Sequence, residues 1–305
     1  MQRTIHTFWS GSKNDIVEAC FARMRSANPG WSVVVHTDFV EADLHPKFED
    51  LPSIQAKSDW LRICLISNLG GVWLDASIVC LKSIETWLDV NDQRVVGFET
   101  PFYCETPILE NWAFAARPHH PLLLAWKNEF AEALSIGFNE YKTRFDPKHC
   151  IYELLPYLTM HAAYTRVHRS DWVLMHHSLD KTFGPFFYLT DSLRDHTSST
   201  PAIMKMFFSN IRHPPLLKMR SVERTIATHL LRVLPVIPGS FMYEYLELRT
   251  PLICMIVPLL VLVVILTCIY CIYGSRKSSY ENEMNSDAKS GIEFWFPKSG
   301  VEYAF

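Results

Sequence analysis

Apolar positions in the first half of the chain switch repeatedly between strand spacing and helix spacing. Thr4 to Trp9 predicts a strand, closed by Ser10-Gly11-Ser12. Asp15 to Ser26 predicts a helix, because Ile16, Ala19, Cys20 and Met24 recur at helical spacing. Asn28-Pro29-Gly30 is a turn signal. The β-branched run Trp31 to His36 predicts a second strand. A polar stretch with Pro46 and Pro52 follows. Ser53 to Leu69 then predicts a helix with Leu61, Cys64, Leu65 and Asn68 on one face, ended by Gly70-Gly71, since glycine supplies the left-handed residue a helix end needs. Val72-Trp73-Leu74 is a short buried strand stopped by Asp75. Val95 to Glu99 predicts another strand and Leu122 to Leu134 another helix. This alternation predicts an α/β fold with a parallel-type sheet covered on both faces. The remainder, to about residue 245, is mixed and carries no clear period.

One segment breaks the globular pattern. Pro251 to Tyr273 holds no charged residue, and about 20 such residues in a helix span the hydrocarbon layer of a bilayer. Pro258 within it predicts a kink that a bilayer tolerates. The expected organisation is a large domain over 1–245, a transmembrane helix over 251–273 and a tail over 274–305, polar and then aromatic. The opening MQRTIHTFWS is too mixed for a signal core, so the large domain is expected in the cytosol. Basic residues on both sides of the span leave its orientation open. Upstream, Arg212, Lys218, Arg220, Arg224 and Arg232 stand against Glu223. That stretch suits an anionic membrane leaflet or, equally, a solvated helix face.

Composition narrows the field. About half of the 305 residues are apolar, enough for a packed core, and a net charge of −3 gives no sign of a nucleic-acid binder. Of eight cysteines, Cys254, Cys268 and Cys271 lie in the apolar span. The other five are scattered without paired spacing, which argues against a disulfide framework and a zinc site. No asparagine carries the glycosylation pattern.

The chemistry concentrates in Ala56 to Glu85. Asp75 falls at the carboxyl end of a strand, where open α/β sheets bind ligands. Asp59 and Arg62, three residues apart, share a helix face and by spacing alone read first as a surface ion pair. The whole block closely resembles the sugar-binding region of glycosyltransferase family 32 and the related capsular polysaccharide synthesis proteins. That pattern reads here as Ser58-Asp59, Arg62, Gly70-Gly71, Val72-Trp73-Leu74 and Asp75-Ala76-Ser77, the last a variant of the DxD motif. Ile5 to Gly11, Asn28 to Trp31, Asn111 to Pro121, Gly184-Pro185 and Tyr188-Leu189-Thr190 resemble outlying parts of the family pattern.

The resemblance implies a GT-A-type fold, a nucleotide-sugar donor such as a UDP- or GDP-sugar, a divalent metal (Mn²⁺ or Mg²⁺) and transfer of a hexose with retention of configuration. The acceptor would be a glycan or a lipid-linked molecule at a membrane. Carried onto this chain, Asp75, Arg62 and Asp59 form the catalytic set. Asp75 would bind the metal with Ser77, Asp59 would hold sugar hydroxyls, and Arg62 would contact sugar or diphosphate. Ser58 and Gly184 would join the donor site, and Trp9 would lie against the base. Ser77 departs from the family's second acid and is a weak, neutral ligand. The alternative is a non-catalytic membrane scaffold with a degenerate site.

His119-His120 and His176-His177 read first as structural, because adjacent histidines point to different sides of an element. His177 is kept as a candidate late metal ligand. Glu99 and Glu105 read as acceptor-facing or as solvated loop acids.

Overall fold

The computed structural model describes residues 1–39, 51, 53–100, 106–145, 156–180, 182–186, 200–210, 214–248 and 264–269. The chain divides into two units, Met1–Thr250 and Pro251–Phe305. In the second unit only 264–269 are described, and they are helical. Among the described residues no helix is long and apolar enough to cross a membrane. The rest of the predicted span over 251–273, and the whole tail, lie outside the described residues.

The first unit is built on a six-stranded sheet. Its strands are β1 (Thr4–Phe8), β2 (Ser32–His36), β3 (Gly71–Leu74), β5 (Val95–Glu99), β6 (Leu109–Ala116) and β7 (Val173–His177), in the order β2-β1-β3-β6-β5-β7. β4 (Ile78–Cys80) and β8 (Leu216–Lys218) form a separate antiparallel pair. The helices are α1 (Asp15–Ala27), α2 (Ile54–Leu69), α3 (Pro121–Ile136), α4 (Phe138–Tyr141), α5 (Thr159–Val167), α6 (Thr200–Phe208), α7 (Ser221–Leu230) and α8 (Phe241–Leu246).

The expected parallel sheet is a mixed one. β1 pairs in parallel with β2 and β3, and β5 with β7. β6 runs antiparallel to both β3 and β5. β6 escapes a reading by composition because LENWAFAA is alanine-rich and lacks the β-branched residues that mark strands. All eight of its residues are buried, which small side chains permit between layers on both faces.

Alternation along the strands feeds a core on each face. Trp73, Phe114 and Ala116 face the α2, α3 and α5 side, whereas Val72, Leu74, Ala113 and Ala115 face the α1 side. Helix α2 differs from the amphipathic expectation. Asp59 through Ser67 are all buried, so no polar stripe faces water there. Its start is fixed by Ser53, whose hydroxyl accepts from the Ala56 N–H at 3.1 Å. Its end is fixed by Gly70, at φ 69°. Gly71 follows at φ 99°, and a Cβ there would meet the Thr4 carbonyl at 2.6 Å. Only glycine allows β3 to start this close to β1. A third core joins α1 to β4, β8, α6, α7 and α8 through Cys20, Val79, Leu217, Phe207, Ala227 and Phe241.

Candidate functional site

A cavity of about 570 Å³ opens where β1 and β3 end and β6 begins. Phe8, Trp9 and Ser10 come from the β1 exit, Asp75, Ala76 and Ser77 from the β3 exit, and Glu110, Asn111 and Trp112 from β6. Ser58 and Arg62 reach it from α2, and Lys218, Arg220 and Arg224 from β8 and the start of α7.

Asp75 sits at the centre. Its N–H donates to the Trp112 carbonyl at 2.8 Å, and its own carbonyl accepts from Ile78 at 2.9 Å, so a tight turn presents the side chain. Oδ1 accepts from Trp73 Nε1 at 3.0 Å and lies 3.4 Å from Arg62 Nη2. Oδ2 accepts from Lys218 Nζ at 2.5 Å. Burial works against ionising Asp75, but Lys218 and Arg62 outweigh it, with hydrogen bonds from Lys218 and Trp73, and hold the carboxyl below the usual range.

Arg62 is the hub beneath. It is 4 % exposed, and Asp59 is 5 % exposed, so the expected surface pair is a buried one. Arg62 Nη2 lies 3.0 Å from Asp59 Oδ1, and Nη1 donates to the Asn111 carbonyl at 2.7 Å. Asn111 Nδ2 returns to Asp59 Oδ1 at 3.2 Å, closing a triangle. The guanidinium also lies over the Trp73 ring at 5.0 Å. Burial pushes the Asp59 carboxyl upward, against the opposing pull of Arg62 and His161.

Of the predicted residues, Trp9, Ser58, Arg62, Asp75 and Ser77 meet at the cavity. Trp9 stands at its rim with Arg224 5.7 Å from the ring centroid. Asp59 does not line it; it lies behind Arg62 and borders a second, more apolar cavity with Phe130, Leu134 and Met160. There it contacts Arg62 and Asn111. Gly184 is also outside the cavity. A Cβ on it would meet the Ser178 carbonyl at 2.2 Å, so it allows a tight turn. The next residue, Pro185, accepts from the Lys218 N–H at 3.2 Å. The Gly-Pro segment thus supports the strand that delivers Lys218. Tyr188 to Thr190 and Glu105 lie outside the described residues.

Sequence reasoning missed Lys218, Arg220 and Arg224 as site residues. They belong to the basic stretch read as membrane-facing or solvated, yet all three line the cavity. Arg212 lies outside the described residues, and Arg232 is exposed. The register Ile78↔Lys218 between β4 and β8 brings Lys218 beside the Asp75 turn. Arg220 is held by Glu223, which also accepts from the Arg220 backbone N–H at 2.7 Å.

The histidine pairs lie elsewhere. His120 caps α3 by accepting from Leu122 N–H at 3.1 Å, and His176 Nε2 donates to the Trp87 carbonyl at 2.8 Å. His177 Nδ1 accepts from Leu179 N–H at 3.2 Å, away from the cavity lining.

Residues 1–136 match the family of capsular polysaccharide synthesis proteins. No curated protein matches the sequence. Several glycosyltransferases are among the solved structures similar to the chain. A glycosyltransferase involved in the glycosylation of the major capsid of PBCV-1 is 13% identical, over 74% of this chain and 96% of that one, with a TM-score of 0.41. PaToxG glycosyltransferase is 12% identical, over 75% and 85%, at 0.36. The ligand-free glycosyltransferase domain from the YGT toxin is 10% identical, over 74% and 88%, at 0.39.

The sequence resemblance implies a divalent metal at Asp75 and Ser77. Among the described residues the donor set does not fit one. Both Asp75 oxygens already face N–H donors, and one of them faces an ammonium. Ser77 adds only a neutral oxygen. Among the described residues no group of three or more His, Cys, Asp or Glu is placed to hold a metal ion. A hard dication prefers several anionic oxygens and meets like charge here.

Proposed function

We propose that the first unit is a glycosyltransferase that takes a sugar from a nucleoside-diphosphate sugar and passes it to a hydroxyl acceptor. The observation that carries this reading is the cavity lining: Arg62 and Lys218 hold one exit-loop carboxylate, Asp75, and Arg220, Arg224 and the Trp9 ring line the same cavity. Cationic side chains at the carboxyl ends of strands suit a diphosphate, and an indole suits a base or a sugar face.

Transfer breaks the bond between the anomeric carbon and the β-phosphate oxygen. The electron pair leaves with the nucleoside diphosphate, and the acceptor oxygen bonds the anomeric carbon. The acceptor's proton goes to the departing phosphate. Charge grows on that phosphate in the transition state, so fixed cations aimed at it lower the barrier. Asp59 and Asn111 keep Arg62 oriented before the donor arrives, and Asp75 does the same for Lys218.

The family pattern carries retention of configuration and a glycan or lipid-linked acceptor. The apolar run over 251–273 supports membrane tethering of the domain, with its cytosolic placement testable by protease protection. The deciding experiment supplies the full chain with a panel of UDP- and GDP-sugars and follows nucleotide release, with NMR of the product for anomeric configuration. Asp75→Asn is expected to lower kcat/KM by about 100-fold or more. Equal release by wild type and variant removes Asp75 from the working site; no release with any donor sinks the reading and leaves a scaffold.

A further inference from the structure

We propose that the Lys218 ammonium takes the place of a divalent cation, so that this site binds and activates a nucleotide-sugar donor without metal. The inference rests on the donor reading above and adds what neutralises the diphosphate.

The placement of Lys218 is built in. Antiparallel pairing of β8 with β4 fixes its backbone opposite Ile78, three residues after Asp75. Pro185 accepts from its N–H, and the Met219 N–H donates to the Ser77 carbonyl at 3.2 Å. The strand carrying the ammonium is thus bound to the Ser77 end of the turn on one side and to Pro185 on the other. The Lys218 side chain is 12% exposed and its Nζ lies 2.5 Å from Asp75 Oδ2. The Trp112 ring, with its centroid 5.8 Å from Nζ, covers it.

This is where a cation bound by Asp75 would stand. The same carboxylate that would hold a metal holds the ammonium, while Arg62 occupies its other oxygen at 3.4 Å. A metal arriving here would have to expel Lys218 and would find, among the described residues, one carboxylate and one hydroxyl, Asp75 and Ser77. The lining brings Arg62, Lys218, Arg220 and Arg224 together with Asp75 and Glu110, while Asp59 and Glu223 pair with Arg62 and Arg220 from behind. Asp75 is on this view a positioning residue that aims an ammonium, and Ser77 is no lost metal ligand.

The test uses the full chain and two probes. Mn²⁺ alone is titrated and its free electron-paramagnetic signal recorded. UDP- and GDP-sugar binding is then measured by calorimetry in EDTA and in Mn²⁺. The expected result is an undiminished Mn²⁺ signal and dissociation constants that agree within about twofold in the two buffers. Lys218→Met is expected to weaken donor binding by about 30-fold or more, and Lys218→Arg to retain most of it. Donor binding that vanishes in EDTA and returns with Mn²⁺ overturns the inference while the donor reading stands. No donor binding in either buffer overturns both. The wild-type comparison decides the matter even if Lys218→Met fails to fold.

Discussion

Arg62 shows how much one side chain can hold. It meets Asp59, Asp75, the Asn111 carbonyl and the Trp73 face at once. A planar fork with fixed donors satisfies all of these; a lysine has a point charge and cannot. Arg62→Ala leaves the Asp59 carboxylate buried without its cation, so the chain should lose about 3–5 kcal/mol in chemical unfolding. The double variant Asp59→Asn/Arg62→Met removes both charges and should recover most of that loss. If the single and double variants unfold alike, the pair does not carry the packing assigned to it. The residue types at this hub were legible in the sequence, because Ser58, Asp59, Arg62 and Asp75 lie within one helix-turn-strand block. Their burial was not. Spacing places two residues on one helix face but does not say what covers that face. Lys218 was least legible of all, since its partner Asp75 is 143 positions away and a three-residue strand leaves no periodic signal.

Elements set the site through two close approaches between strands. The first is the start of β3. Gly71→Ala combines a strained φ with a Cβ at 2.6 Å from the Thr4 carbonyl, and should cost about 3 kcal/mol or more. Gly137, at φ 83° with nothing within 4 Å, isolates the strain alone; its alanine variant should cost only about 1 kcal/mol. Equal losses by thermal unfolding would show that no clash exists at β3. The second approach joins β1 to β2, where His6 Nδ1 and His36 Nε2 lie 3.1 Å apart and share one proton. Burial first, and the neighbouring His36 second, lower His6 from 6.5 to about 4. Between those values the unfolded chain takes up a proton that the folded chain refuses, so stability is full above about 6.5 and falls as pH drops toward 4. The loss from this group should reach about 2 kcal/mol by pH 5, read as the urea midpoint from pH 7.5 to 5. His6→Gln should flatten that dependence. An unchanged slope would mean that another group titrates. The early elements were predictable because each carries its own period and punctuation. β4, β6 and β8 were not, because short or alanine-rich strands take their structure from neighbours distant in sequence.

At the scale of the whole molecule the site opposes its carrier. The chain has a formal charge of −3, yet the cavity lining presents four cationic side chains against two acidic ones, with Asp59 and Glu223 pairing two of the four from behind. A bulk charge of one sign repels an anion, whereas a cleft of the other sign focuses its field and steers the anion inward. Only the long-range part of that attraction is open to salt. Within the cavity, Arg62 and Lys218 are largely shielded from water, with 5% and 12% of their side chains exposed, and ions screen such contacts weakly. Donor association should therefore slow by roughly three- to tenfold as ionic strength rises from about 20 to about 300 mM, while dissociation changes by less than about twofold. Stopped-flow binding separates the two rates. Arg224→Gln, which removes a cation beside Trp9 at the rim, should reduce the salt dependence of association. Arg94→Gln, an exposed change that removes a pair with Asp92 outside the lining, should leave it as it was. Salt acting on dissociation alone would instead mean that the rim cations hold the bound donor and do nothing to draw it in.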